Sequence, residues 1–185
     1  MSKVIAYMAD GLEEVECLAV VDVLRRAGIE VVMTSITDKK QVLGSHNFLI
    51  GTDAIASEID PLDADMIFLP GGMPGTKYLT ESAYVTKAIK DAFAAGKKLA
   101  AICAAPSVLG VNGLLEGKKA TCYPGWESAL SGAEIVNAGV VRDGNVITGR
   151  GLGFAIDEGL EILKAMVDEE TSEKIKKAIQ HPTTI

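Results

Sequence analysis

Cys103 ends the apolar run LAAIC and is followed by Ala104, Ala105 and Pro106, small residues and then a proline suited to the first position of a helix. A thiol at a strand-to-helix turn faces a helix N-terminus, whose partial positive charge favours thiolate and lowers the pKa. The turn also lies at the C-terminal edge of a sheet, where open α/β folds bind ligands. The other reading is a small apolar residue filling the core, as free Cys commonly does. Cys17 and Cys122 are read that way.

Glu16 lies among Leu12, Val15, Ala19, Val20 and Val23, so helical spacing puts a carboxylate on an apolar stripe. Charged groups are rarely buried without a partner. Two readings stand: a long side chain whose head escapes to solvent, or a desolvated carboxyl that stays protonated and donates a hydrogen bond. Glu13 and Glu14 need neither, because acids in a first turn complement the helix dipole.

LPGGMPG, residues 69 to 75, follows a strand, and adjacent glycines allow backbone N–H groups to face a reacting atom. It is neither the spaced glycine pattern of a dinucleotide site nor a phosphate loop. The histidines, His46 and His181, are both remote from Cys103 in sequence. Tyr123 and Trp126 flank a Pro-Gly turn and are candidates to line a pocket, and Arg25 and Arg26 are placed to pair with Asp22 on one helix.

Positioning these groups requires alternating strands and helices. Lys3 to Met8 reads as a strand and Leu12 to Ala27 as a helix, with Asp10 and Glu13 as its capping pair and Gly28 as its left-handed C-terminal cap. Ile29 to Ile36 reads as a strand. MIFLP then precedes a helix over about Ser82 to Ala95, and KKLAAICA runs into a helix from Pro106. This alternation implies a mostly parallel sheet flanked by helices on both faces. Residues 41 to 52 and 140 to 148 read as hairpins decorating that sheet, the second with an Asp143-Gly144 turn. The chain closes with an amphipathic stretch from Phe154 to Val167 and a Lys-rich one from Glu170 to Gln180. Without repeat or linker, residues 1 to 185 read as one domain.

Composition narrows the function. A formal net charge of −7 and 5% aromatic residues argue against a nucleic-acid partner. No apolar run is long enough to span a bilayer or to serve as a signal peptide. Three widely spaced Cys fit neither a disulfide framework nor a paired metal motif, so a reducing, cytoplasmic compartment and no metal are expected.

The set DGLEEVE, LPGG and AAICAAP resembles the ThiJ/PfpI superfamily, and within it the branch of the parkinsonism-associated protein deglycase. The resemblance runs along essentially the whole chain and implies a flavodoxin-like fold. It implies that Cys103 is the reactive nucleophile, Glu16 the protonated acid that hydrogen-bonds its sulfur, and Gly72 and Ala104 the residues whose N–H groups form an oxyanion site. Arg26 matches an arginine placed near the site and the dimer contact. A homodimer with the first helix at or near the interface is implied as well.

Three positions depart from the branch pattern. Tyr123 stands where well-studied members carry a histidine, His46 where an arginine is frequent, and Leu152 where RGPG has its proline. A site of altered polarity follows, with His46 of the second subunit as a candidate proton acceptor near Cys103. Ala104 in place of a histidine argues against the peptidase-like branch. The resemblance implies a glyoxalase or deglycase acting on methylglyoxal-like 2-oxoaldehydes with neither metal nor organic cofactor. The competing expectation is a non-enzymatic oxidative-stress sensor or chaperone whose Cys103 is oxidised by peroxide.

Overall fold

The computed structural model describes residues 2–184. Its main sheet has seven strands. β1 (Lys3–Met8) is followed by α1 (Glu14–Arg26) and β2 (Glu30–Ser35). Next come the short strands β3 (Gln41–Leu43), β4 (Leu49–Gly51) and β5 (Ala54–Ile55), then β6 (Met66–Leu69). α2 (Gly75–Glu81), α3 (Ala83–Ala94), β7 (Lys98–Ile102) and α4 (Pro106–Val111) follow. β8 (Lys119–Ala120) and β9 (Glu134–Ile135) form a small parallel pair. β10 (Val140–Asp143), β11 (Val146–Gly149), α5 (Ala155–Met166) and α6 (Glu169–Ala178) complete the chain.

The strand order is β10-β11-β7-β6-β1-β2-β5, parallel except for the edge strand β10. Period-two alternation divides β1 between two cores. Val4, Ala6 and Met8 pack with α1, α5 and α6, while Ile5 and Tyr7, and Ala9 just past the strand, pack with α3 and α4. The sheet is therefore covered on both faces, as expected of parallel strands.

Three local readings are corrected. α1 starts at Glu14, and its N-cap is Glu13, whose side chain accepts from the amide of Glu16 at 2.6 Å. Asp10 instead accepts from the amide of Leu43 at 2.8 Å, because the chain turns at Gly11 (φ 79°) before the helix begins. The second hairpin is part of the sheet rather than a decoration: all four residues of β11 are buried, and it pairs in parallel with β7 from Val146 opposite Leu99 to Gly149 opposite Ile102. Arg25 reaches across to Asp53 at 2.8 Å and leaves Asp22 to Arg26. Gly28 does adopt the left-handed cap conformation (φ 79°), as read from sequence.

Candidate active site

Three connections at the C-terminal edge of the sheet meet around Cys103. β7 ends at Ile102, and the amide of Cys103 makes one further sheet-like bond to the carbonyl of Gly149, at 2.9 Å. The backbone then turns sharply: Cys103 has φ 64°, a left-handed conformation that costs a non-glycine residue on the order of 1–2 kcal/mol. The carbonyl of Cys103 accepts from the amide of Tyr123 at 2.8 Å, which ties the turn to the third connection. Pro106 occupies the first turn of α4, as read from sequence.

The glycine loop after β6 is fastened to the start of α1. The amide of Glu13 donates to the carbonyl of Gly71 at 2.9 Å. Gly72 (φ 94°) lies so close that a Cβ there would meet the Glu13 nitrogen at 2.2 Å. A Cβ on Gly71 would meet Glu16 Oε2 at 2.5 Å and the Cβ of Cys103 at 2.6 Å. Bare backbone at Gly71 is what allows the acid and the thiol to share one space.

Glu16 is 1% exposed, which selects the buried reading over an escaping head group. Burial, with a smaller contribution from the charge of Glu13, pushes its carboxyl up to about 7. The Cys103 thiol and the N–H groups of Gly71 and Leu152 work in the opposite direction by hydrogen bonding. Oε2 is enclosed and has no partner at hydrogen-bonding geometry among the described residues, so the neutral acid, with a proton to donate, suits the site.

The thiol of Cys103 is pushed up to about 12, opposite to the lowering read from the sequence. Burial comes first, followed by the charge and hydrogen bond of Glu16, and together they outweigh the N–H groups of Ala104 and Gly72 that face the sulfur. Two of the three raising influences belong to the Glu16 carboxylate. A proton on Glu16 removes its charge and supplies a donor, so the titrations of the two groups are coupled.

Gly72 and Ala104 are thus brought to the sulfur, and Gly151 brings Tyr123 to the same place: a Cβ there would be 3.4 Å from the Tyr123 ring and 3.8 Å from Glu16 Oε1. Tyr123 lines a cavity of about 330 Å³ with Pro124, Arg150, Leu152 and Phe154. Trp126 lines a different cavity, with Met73 and Thr76. Arg26 is not brought in. It ends α1, ten residues and about 15 Å along the axis from Glu16, and pairs with Asp22.

His46 sits on the β3–β4 hairpin, fixed over the start of α1 by Ser45 N–H to Leu12 carbonyl at 2.8 Å. Glu14 accepts from the His46 amide at 2.7 Å, and its other oxygen lies 3.0 Å from His46 Nδ1. Burial works to raise Glu14, but the hydrogen bonds with His46 prevail and hold it at about 2. The same contact raises His46. Glu14 is therefore a buried anchor for the hairpin, beyond the dipole role read from the sequence. Ligand atoms of Glu13, Glu14 and His46 lie within 4.8 Å of one another, a grouping able to hold a metal ion. The oxygens of Glu14 are already engaged by the hairpin. Cys17 and Cys122 are buried packing residues, with thiols pushed up by burial to about 12 and 11.

Glu158, which the sequence reading passed over, is 0% exposed. Neither of its oxygens has a hydrogen-bond partner among the described residues. A Cβ on Gly149 would meet its Oε2 at 2.1 Å, so this acid lies against the strand end that binds the Cys103 amide. Burial raises its pKa well above the usual carboxylate range, and the charge of Glu16 raises it further.

Comparison with known proteins identifies the family and the fold. The model of the DJ-1/PfpI family matches residues 2–165. Protein dj-1beta of Drosophila melanogaster is 34% identical over 182 residues, covering 97% of each chain. A protein of Pyrococcus abyssi named a deglycase is 33% identical over 151 residues, 80% of this chain and 89% of that one. Against the longer DJ-1 homolog B of Arabidopsis thaliana, 33% identical, the match takes in 95% of this chain and 40% of that protein. The structure of oxidized Toxoplasma gondii DJ-1 superposes with a TM-score of 0.94 at 34% identity, over 97% of this chain and 98% of that one. No helix among the described residues is long and apolar enough to cross a membrane. The elbow cysteine, the facing acid and the glycine loop thus sit in a fold shared along nearly its whole length with these proteins, and the chain belongs to the DJ-1/PfpI family.

Proposed function

We propose that the chain is a cysteine-dependent, cofactor-free glyoxalase or deglycase acting on small 2-oxoaldehydes such as methylglyoxal. The observation that carries this reading is the facing of Glu16 and Cys103 across Gly71, with the N–H groups of Gly72 and Ala104 on the sulfur. The relative named a deglycase supports it.

The thiolate adds to the aldehyde carbon, and the N–H groups of Gly72 and Ala104 stabilise the new oxyanion. That oxygen is protonated to give a hemithioacetal. Glu16, near neutrality, takes the proton from the aldehyde-derived carbon and returns one to the adjacent carbon, while the hydroxyl proton of the hemithioacetal passes to the former ketone oxygen, leaving a lactoyl thioester. Water hydrolyses the thioester, so methylglyoxal and water become lactate and the free thiol is restored. Lactate formation by the wild type but not by Cys103→Ser, without added thiol or metal, is the expected result. Equal turnover in both would overturn the reading.

A second reading, oxidation of Cys103 as a signal, is supported by the same neutral acid and by a relative described as oxidized. One peroxide gives a sulfenic acid and water, and a second gives the sulfinate, which a protonated Glu16 hydrogen-bonds. It requires addition of two oxygens confined to Cys103 by mass spectrometry. Oxygens spread over Cys17 and Cys122 would count against it.

The assembly proposed is a homodimer. Val15 and Leu18 of α1 and Phe48 and Leu49 of the β3–β4 hairpin are exposed apolar side chains around one cavity. A second copy covering this face would remove them from water. Light scattering should give twice the chain mass for the wild type and a monomer for Leu18→Glu. In such a dimer, His46 of the second subunit is the proposed proton acceptor, and an unchanged pH profile in His46→Ala would remove that role.

A further inference from the structure

A further cavity lies on the other side of the sheet from α1. It occupies about 530 Å³, within the range of small-molecule sites, between β1, the crossing segment 56–61 and the first turns of α3. Ala56, Ala83 and Ala88 leave room in it, and Ile59 and Pro61 supply apolar wall.

Tyr7, Asp60, Tyr84 and Lys87 are its lining residues with a titratable side chain. Tyr7 is 1% exposed and lines this cavity, and its hydroxyl makes no hydrogen bond to any described residue. That oxygen is not among the fully enclosed unpartnered atoms, so the cavity is where it meets solvent. Burial, and after it the charge of Asp60, raise its pKa to about 12, which keeps the hydroxyl a neutral donor. Asp60 spends one oxygen on the amide of Leu62 at 2.9 Å and enters no ion pair among the described residues. Lys87, also at the rim, is held by Asp91. Tyr84 leaves a half-exposed ring at the mouth.

A hydroxyl donor on the floor and a carboxylate acceptor at the rim ask for a ligand with an acceptor on one edge and N–H groups on another. Apolar walls and an open tyrosine ring ask for a flat body. An anionic ligand is disfavoured, because the one cation lining the cavity, Lys87, is already paired with Asp91 and also interacts with the charge of Asp60. We propose that this cavity is a second, non-catalytic binding site for a small heteroaromatic amine, with its N–H groups on Asp60 and its ring nitrogen accepting from Tyr7. The proposal is independent of the chemistry assigned to Cys103.

The test is a protein-observed NMR titration with adenine as the probe and benzoate as an anionic ring of similar size. Adenine should shift the amides of Ile59, Lys87 and Ala88 saturably, while benzoate should not. Tyr7→Phe removes only the hydroxyl and Asp60→Asn keeps the capping oxygen, and each should weaken adenine binding about tenfold. Cys103→Ser should bind as the wild type does. Absence of saturable shifts, equal affinity in the two cavity variants, or equal response to benzoate would overturn the proposal.

Discussion

Glu16 and Cys103 occupy the two sides of one point in space, the place where a side chain on Gly71 would begin. Neither residue is near the other in sequence, and the glycine between them comes from a third connection. The acid and the thiol are therefore set against each other by the parallel register of β1, β6 and β7, which brings all three strand ends to one edge.

Removing the charge at Glu16 separates reactivity from turnover. In Glu16→Gln the two influences of the carboxylate on the thiol disappear, so the pKa of Cys103 falls from about 12. Alkylation of Cys103 by iodoacetamide at pH 8 should be about tenfold faster or more in the variant. Lactate formation should drop by about 100-fold or more, because the proton carrier is gone.

Leu152 gives Glu16 an amide donor that the proline of RGPG lacks. Leu152→Pro removes a stabilising contact to the carboxylate, so Glu16 keeps its proton to a higher pH than about 7. The limb of the pH–rate profile assigned to Glu16 should move to higher pH, with Leu152→Ala as the control that leaves it in place.

Gly71→Ala places a carbon within 2.5 Å of Glu16 Oε2 and 2.9 Å of the Ile102 carbonyl. The second contact is backbone and cannot swing away. Urea denaturation should show a loss of about 1–3 kcal/mol, and lactate formation should fall because the acid and the thiol are forced apart.

Burial favours the neutral form of Glu158 in the folded chain, whereas in the unfolded chain its carboxyl is ionised at neutral pH. A raised folded pKa means that its contribution to stability is complete below the unfolded value, near 4.5, and is lost as pH rises toward the folded value. The loss amounts to about 1.4 kcal/mol per pH unit across that window. Glu158→Gln should abolish this slope, making the variant more stable than the wild type at pH 8 and similar at pH 4.5. Parallel pH dependence of chemical denaturation in the two proteins would contradict the assignment.

Much of this arrangement is legible in the chain itself. β1 runs from Lys3 to Met8 as its apolar run shows, and Glu16 is found from helical spacing alone. The same rule failed on its neighbour Val15, which is half exposed, because spacing cannot say which apolar stripe of a helix faces a core and which faces outward. Glu14 looked like a dipole acid because its partner, His46, is on a hairpin 32 residues away. Glu158 was within reach: Ala155, Glu158, Gly159 and Ile162 form the i, i+3, i+4, i+7 stripe of α5, the signal that exposed Glu16. The direction of the Cys103 shift was not legible, since it depends on how deeply the turn and Glu16 are packed together.

The left-handed turn at Cys103 sets selection for stability against selection for chemistry. Glycine relieves the backbone at that position and alanine does not, so a library sorted only for heat resistance would drift toward glycine at 103, and by the same logic toward an uncharged residue at 158. A chain that keeps cysteine there is held to it by something other than the durability of its fold.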